Sequence, residues 1–235
     1  MVSYKLDTDL VAWYPMTEGS GTTLNDYSDN SNDGTITGAD WVKTPYMGNY
    51  GLNFNGSTDY AYINDASKLS FTDGSGNDTP FTISVWVKIT TLGTHTVFNK
   101  YTSTSNQEYN LFTFANGALA FDVYTSSNSN YIRWTTDAGI VSVGSWYHIV
   151  VTGSSAEDTT KIKIYVNTDE KSTSTSGAGT YTGFVTGTGY FALGAVNINT
   201  TPIIQYTGRA AYLMVFNRAL TLEEIKDIYN KTYRS

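Results

Sequence analysis

The stretch Phe81-Thr-Ile-Ser-Val-Trp-Val-Lys-Ile89 decides the class of fold, because its apolar residues recur at every second position. In an extended strand Phe81, Ile83, Val85, Val87 and Ile89 share one face, and Thr82, Ser84, Trp86 and Lys88 share the other. One face is expected to pack inward. Lys161-Ile-Lys-Ile-Tyr-Val166 repeats the pattern, with Ile162, Ile164 and Val166 inward and Lys161, Lys163 and Tyr165 outward. Strands buried on one side belong to two stacked antiparallel sheets rather than to a parallel sheet covered on both faces. Short apolar runs punctuated by Gly, Asn, Asp and Ser predict further strands around 10–16, 50–54, 60–63, 96–100, 109–114, 119–124, 131–135, 146–152, 190–193 and 210–216. Asn116-Gly117 sits between two such runs and predicts a hairpin closed by a type I′ turn, since both residues tolerate positive φ. One helix is expected. Thr221-Leu-Glu-Glu224 reads as a capping box, followed by Leu222, Ile225 and Ile228 or Tyr229 at helical spacing. The Ser, Thr and Gly of 171–189 suit either an exposed loop or a weak edge strand. No repeat or linker divides the chain, so 1–235 is read as one domain.

A length of 235 residues suits a single large β domain. Tyr 19, Phe 10 and Trp 5 supply enough apolar area for a core without staples. Cysteine is absent, which excludes disulfides, thiolate metal sites and a cysteine nucleophile. With two histidines, a His-rich metal centre is not expected. His148 reads as a packing residue of its strand and His95 as an exposed turn residue. The net charge of −7 and the lack of a basic run beyond Lys161-Ile-Lys163 argue against nucleic acid and anionic membranes as partners. No apolar stretch approaches the length of a membrane span, and the N-terminus lacks the apolar core of a standard secretory signal. The starting Met close to a first strand reads as a complete gene product. The expected setting is a virion surface if the source is viral; otherwise it is cytoplasmic, or extracellular if a signal has been trimmed.

The ordered motifs carry a resemblance. Leu10-Val-Ala-Trp-Tyr-Pro-Met-Thr-Glu-Gly-Ser-Gly21 is followed by Asp26-Tyr-Ser-Asp-Asn-Ser-Asn-Asp-Gly34, Gly51-Leu-Asn-Phe-Asn-Gly-Ser-Thr-Asp-Tyr60 and the strand at Phe81. Then come Trp146-Tyr-His-Ile-Val-Val-Thr152, Ile164-Tyr-Val-Asn167 and Phe216-Asn-Arg-Ala-Leu-Thr-Leu-Glu-Glu-Ile225. Together they resemble the laminin-G-like, or concanavalin A-like, lectin/glucanase jelly roll. The resemblance implies an all-β jelly-roll sandwich of two curved antiparallel sheets, one concave and one convex, with the termini close together, to which the capping box adds the short C-terminal helix. The chain departs from the family where Asn-Gly often follows the Ile-Tyr-Val strand, because Asn167 is followed by Thr168-Asp169.

Related glucanases resemble one another in a Glu-x-Asp-x-(x)-Glu cluster on one strand, whose alternate carboxylates face the sugar. None of the six Glu here, at 18, 108, 157, 170, 223 and 224, is followed two residues later by Asp. Asp169 and Glu170 are adjacent, which points them to opposite faces in a strand or to solvent in a turn. A glycoside hydrolase is therefore not the expected function. No Gly-x-Ser-x-Gly, Walker loop or His-Glu-x-x-His occurs.

A non-catalytic module that binds glycan or a cell surface is expected, as a virion-surface protein. The alternative is a purely structural or decoration subunit held by other proteins of an assembly. The candidate ligand-binding residues are Trp86, Tyr109, Tyr124, Tyr131, Arg133, Trp134 and Tyr165, with Asn110, Asn128 and Asn130 close in sequence. Rings cover the apolar faces of sugars, and amides or charged groups take the hydroxyls. The hard oxygen donors of 26–34 make a structural Ca²⁺ a possible cofactor. The resemblance brings this loop near the Asn55–Asp59 turn, so Glu18, Asp26, Asn32 and Asp59 are the candidate ligands; the competing reading is a set of Asx-turns.

Overall fold

The computed structural model describes residues 8–45, 49–75, 77–103, 106–125, 130–154, 160–196 and 202–233. In chain order the strands are β1 (Leu10–Tyr14), β2 (Thr23–Leu24), β3 (Gly34–Thr37), β4 (Asp40–Lys43), β5 (Tyr50–Asn55), β6 (Tyr60–Ile63), β7 (Phe81–Ile89), β8 (His95–Ser103) and β9 (Asn106–Thr113). They continue as β10 (Leu119–Thr125), β11 (Asn130–Thr136), β12 (Trp146–Gly153), β13 (Ile162–Val166), β14 (Asp169–Lys171), β15 (Thr173–Ala178), β16 (Phe191–Leu193) and β17 (Thr207–Phe216), before one helix, α1 (Leu222–Thr232). All pairings between these strands are antiparallel. One sheet has eight strands, in the order β14-β13-β12-β7-β17-β5-β4 with β1 also on β17; the other has nine, in the order β15-β11-β10-β9-β8-β16-β6-β3-β2. The two-sheet, all-β sandwich expected from the alternation is the observed architecture.

The inward faces meet in one cluster that takes Ile83 and Val85 from β7, Phe98 from β8, Leu111 from β9, Phe121 from β10 and Trp134 from β11. Phe71 stacks between Phe81 (4.3 Å) and Tyr109 (5.0 Å), filling the layer with ring-to-ring contact.

The outward face of β7 is not open to solvent, a correction to the one-sided reading. Thr82, Ser84 and Trp86 are all buried: in the segment that leads into α1 the Arg218 carbonyl accepts the Thr82 hydroxyl (2.8 Å) and the Leu220 amide donates to that hydroxyl (2.9 Å), and α1 itself lies over Trp86. The Trp86 indole N–H donates to Thr232 Oγ1 at 2.8 Å, and its ring stacks on Tyr229 (5.3 Å) and His148 (5.2 Å). His148 is itself buried, paired through Nε2 with Ser84 Oγ at 2.7 Å, and burial holds its imidazole well below the usual range, at about 3. The helix starts at the expected capping box. The Glu224 amide donates to Thr221 Oγ1 (3.3 Å), and the Thr221 amide donates to the Glu224 carboxylate (2.8 Å). Ile225 and Ile228 face the sheet, whereas Leu222, expected in the same stripe, is 42% exposed.

Two turns differ from expectation. The hairpin at Asn116-Gly117 exists, but Gly117 alone takes a positive φ (+76°), and the Gly117 amide donates to Phe114 O (3.0 Å). This is a type I turn followed by a left-handed glycine rather than type I′. The two-residue loop Asn167-Thr168 between β13 and β14, by contrast, has both φ values positive, 52° and 76°. It keeps the primed geometry although a β-branched Thr stands where Gly would fit without strain. The 171–189 stretch divides: Thr173–Ala178 is an exposed edge strand paired with β11, and 179–190 has no regular structure.

Candidate binding face

Register sorts the nine-stranded sheet into a core face and an outer face. Phe121 pairs with Leu111 and Trp134, and all three belong to the core. Their neighbours therefore point outward: Asp122 on β10, opposite Asn110 on β9 and Arg133 on β11. The same row continues through Asn99 on β8, Ala192 on β16 and Tyr62 on β6. One step along the strands, Tyr131 pairs with Tyr124, and Tyr101 pairs with Gln107.

At the centre of this face Arg133 holds Asp122 through two parallel bonds, Nε to Oδ1 at 2.6 Å and Nη2 to Oδ2 at 2.7 Å. The Tyr124 hydroxyl donates to the same Oδ2 at 3.0 Å. The Arg133 guanidinium lies 4.8 Å from the Phe112 ring centre and 5.2 Å from that of Tyr131. Asp122 is buried completely, while the Arg133 side chain is 27% exposed. Burial pushes the Asp122 carboxyl up, and the bonds from Arg133 and Tyr124 pull it back. The bonds to Asp122 push the Arg133 guanidinium further up. Tyr101 and Tyr131 flank Tyr124 at 6.3 and 5.8 Å, and all three rings are half-buried. Beside Asp122, Asn110 (5% exposed) and Asn99 (0%) each keep a side-chain oxygen with no hydrogen-bond partner among the described residues.

Of the seven expected ligand-binding residues, Tyr124, Tyr131 and Arg133 come together here. The other four are corrected, each for a physical reason. Trp86 lies under α1. Trp134 follows Arg133 in the same strand, so it points to the core. Tyr109 is fully buried and donates to Leu69 O at 2.8 Å. Tyr165 sits on the other sheet, 4% exposed, with its hydroxyl on Glu170 at 3.1 Å. Asn110 joins the face, and Asn128 lies outside the described residues. Asp122, Tyr101 and Phe112 were missed, although the period of two that places Arg133 and Tyr131 on one face also places Asp122 and Tyr124 together.

On the core side, a β-bulge leaves Glu108 unpaired between Gln107 and Tyr109. Its carboxylate meets the buried Lys100 ammonium, which is also 2.8 Å from Asp65, and accepts the Gly187 amide at 2.9 Å. Burial pushes Glu108 up to about 7 despite the opposing pull of Lys100.

The expected metal ligands serve their own loops. Asp26 accepts the amides of Trp13 (2.9 Å), Ser28 (2.8 Å) and Asn32 (2.9 Å). Glu18 accepts both nitrogens of Asn25, and Asp59 accepts the Asn55 amide and the Thr58 hydroxyl. Among the described residues no three acidic or imidazole side chains form a group that could hold a metal. The donors shown are N–H and O–H groups, the bonding of Asx-turns.

Comparison with known proteins agrees with this architecture. A laminin-G-type family model, described as the concanavalin A-like lectin/glucanases superfamily, matches residues 55–226. No curated protein matches the sequence. Among solved structures, the receptor-binding domain of botulinum neurotoxin C/D mosaic serotype is similar, with a TM-score of 0.69 and 12% identity, over 96% of this chain and 52% of that one. The binding domain of Paraclostridial Mosquitocidal Protein 1 gives 0.69 and 15% identity over 96% and 52%. A mutant of Trypanosoma rangeli sialidase displaying trans-sialidase activity gives 0.65 and 17% over 97% and 33%. The chain thus spans about half the length of the two binding domains and a third of the sialidase; at these identities the likeness is one of fold. The chain belongs to the concanavalin A-like lectin/glucanases superfamily.

Proposed function

We propose that the chain is a non-catalytic binding module that takes a glycan or similar cell-surface ligand on the outer face of its nine-stranded sheet. The observation that carries this reading is the set of half-buried tyrosines around a fixed Arg133–Asp122 pair. Rings of this kind offer apolar platforms, and the polar groups beside them have their geometry set before ligand arrives. Asp122 has both oxygens engaged, so it is held as a structural anion and not as a general acid or nucleophile. Binding domains of two toxins with the same fold lend support at the level of fold. Display on a virion or another assembly, where many copies raise avidity, is part of the proposal.

A glycan array followed by titration of the wild type and of Tyr124→Ala tests it. The proposal expects a saccharide hit that Tyr124→Ala weakens, and repeating the titration with a chelator shows whether Ca²⁺ takes part. An array without a hit, from a protein that co-sediments with particles, would favour the purely structural role. Release of reducing ends from the bound saccharide would overturn the non-catalytic part.

A further inference from the structure

We infer that the ligand of this face is a neutral, linear, hydroxyl-rich polymer, an uncharged polysaccharide chain, lying across the strands along a track of tyrosine rings. This rests on the binding reading above and narrows it in length, charge and direction.

The track is read from ring spacing and register. Tyr131, Tyr124 and Tyr101 follow one another at 5.8 and 6.3 Å. Tyr190, Tyr62 and Tyr60 form a second series at 5.0 and 6.1 Å. The pairing of β16 with β8 sets the two series on neighbouring strands. Tyr190 immediately precedes Phe191, Phe191 pairs with Lys100, and Lys100 precedes Tyr101. All six rings are half-buried, anchored at the sheet with part of each surface left to solvent. From β11 to β6 the track crosses five inter-strand steps, which at about 4.8 Å each is ~24 Å. A single terminal sugar would cover one pair of rings; covering both series takes a chain.

Charge narrows the class. The outer rows traced here carry Arg133 and Asp122 as their charged members, and the two neutralise each other in a bidentate pair. No free cation on these rows awaits a carboxylate or sulfate, and the net charge of −7 repels a polyanion.

The test is calorimetric titration of the full chain with gluco-, manno-, xylo- and N-acetylglucosamine oligomers from one to six units, with sialyllactose and a heparin hexasaccharide as anionic probes. The inference expects one neutral series to gain about tenfold or more in affinity between the disaccharide and the hexasaccharide. Tyr62→Ala and Tyr131→Ala, at opposite ends, should each weaken the hexasaccharide by about 3- to 10-fold, and at most one of them should weaken the disaccharide. A monosaccharide that binds as tightly as its hexamer, or a preference for an anionic probe, would overturn the inference while leaving a binding face in place, provided Tyr124→Ala weakens that probe. Absence of binding to every probe would sink both.

Discussion

Replacing Arg133 by Ala removes two charge-assisted hydrogen bonds and leaves the Asp122 carboxylate buried with Tyr124 as its remaining side-chain donor. Breaking a fully buried ion pair on one side costs about 3–5 kcal/mol, most of it the stranded charge. Arg133 is 27% exposed, so water can reach the vacated space, and the expected loss is lower, about 2–3 kcal/mol. Asp122→Asn removes the charge itself and should cost about 1 kcal/mol; in the Arg133→Ala background it should restore part of the lost stability. Urea unfolding of the four members of this cycle gives the coupling energy, expected at about 1 kcal/mol or more. A variant Arg133→Ala within about 0.5 kcal/mol of wild type, with no coupling, would show that the pair is not formed in solution. It would also return a free guanidinium to the outer face and remove the argument for a neutral ligand.

Trp86→Ala, in the buried contact between β7 and α1, should cost about 3–5 kcal/mol; Trp86→Phe, which keeps the stack and loses the bond to Thr232, should cost less and leave saccharide affinity unchanged, whereas a loss of affinity would restore Trp86 as a ligand residue. Thr168→Gly should stabilise the protein by about 0.5–1 kcal/mol in urea unfolding, since a left-handed β-branched residue is strained and Gly is not; a loss of stability would count against the positive φ. Glu108 is raised from 4.5 to about 7, so its contribution to stability is complete below pH ~4.5 and is lost as pH rises through about 7. Glu108→Gln should flatten that part of the stability profile, and an unchanged slope would refute the assignment. Glu224, held down to about 2 by Arg218 and the helix cap, works in the opposite sense: its contribution is present above pH ~4.5 and is lost as pH falls through about 2.

Alternation in Phe81–Ile89 gave the sandwich, and the Thr221–Glu224 box gave the helix, because both signals are local and have one physical reading. The covering of Trp86 was not legible, since a period of two says which side a residue faces but not what lies upon it; here α1 returns over the ring through Thr232, 146 positions along the chain. Tyr109 was legible from the alternation: it lies two positions from Leu111 in a stretch of β9 whose pairing with β10 is regular, so the two share the core face. Trp134 was legible. Its neighbour Arg133 faces outward, and adjacent side chains in one strand point to opposite faces, so the two could not share a site. The Asp122–Arg133 pairing depends on the β10–β11 register, which the sequence did not supply because 126–129 carry no decisive turn motif. Short strands such as β2, β3, β4 and β14, of two to four residues, were too brief for any periodicity to show.

The most direct test of the binding face is the tyrosine ring spectrum during titration with the best neutral hexasaccharide. Resonances of Tyr101, Tyr124 and Tyr131 on the outer face should move together, while those of the buried Tyr14, Tyr109 and Tyr206 stay in place. Saturable binding that shifts Tyr27 or Tyr50 instead, leaving the outer-face rings unmoved, would contradict the account.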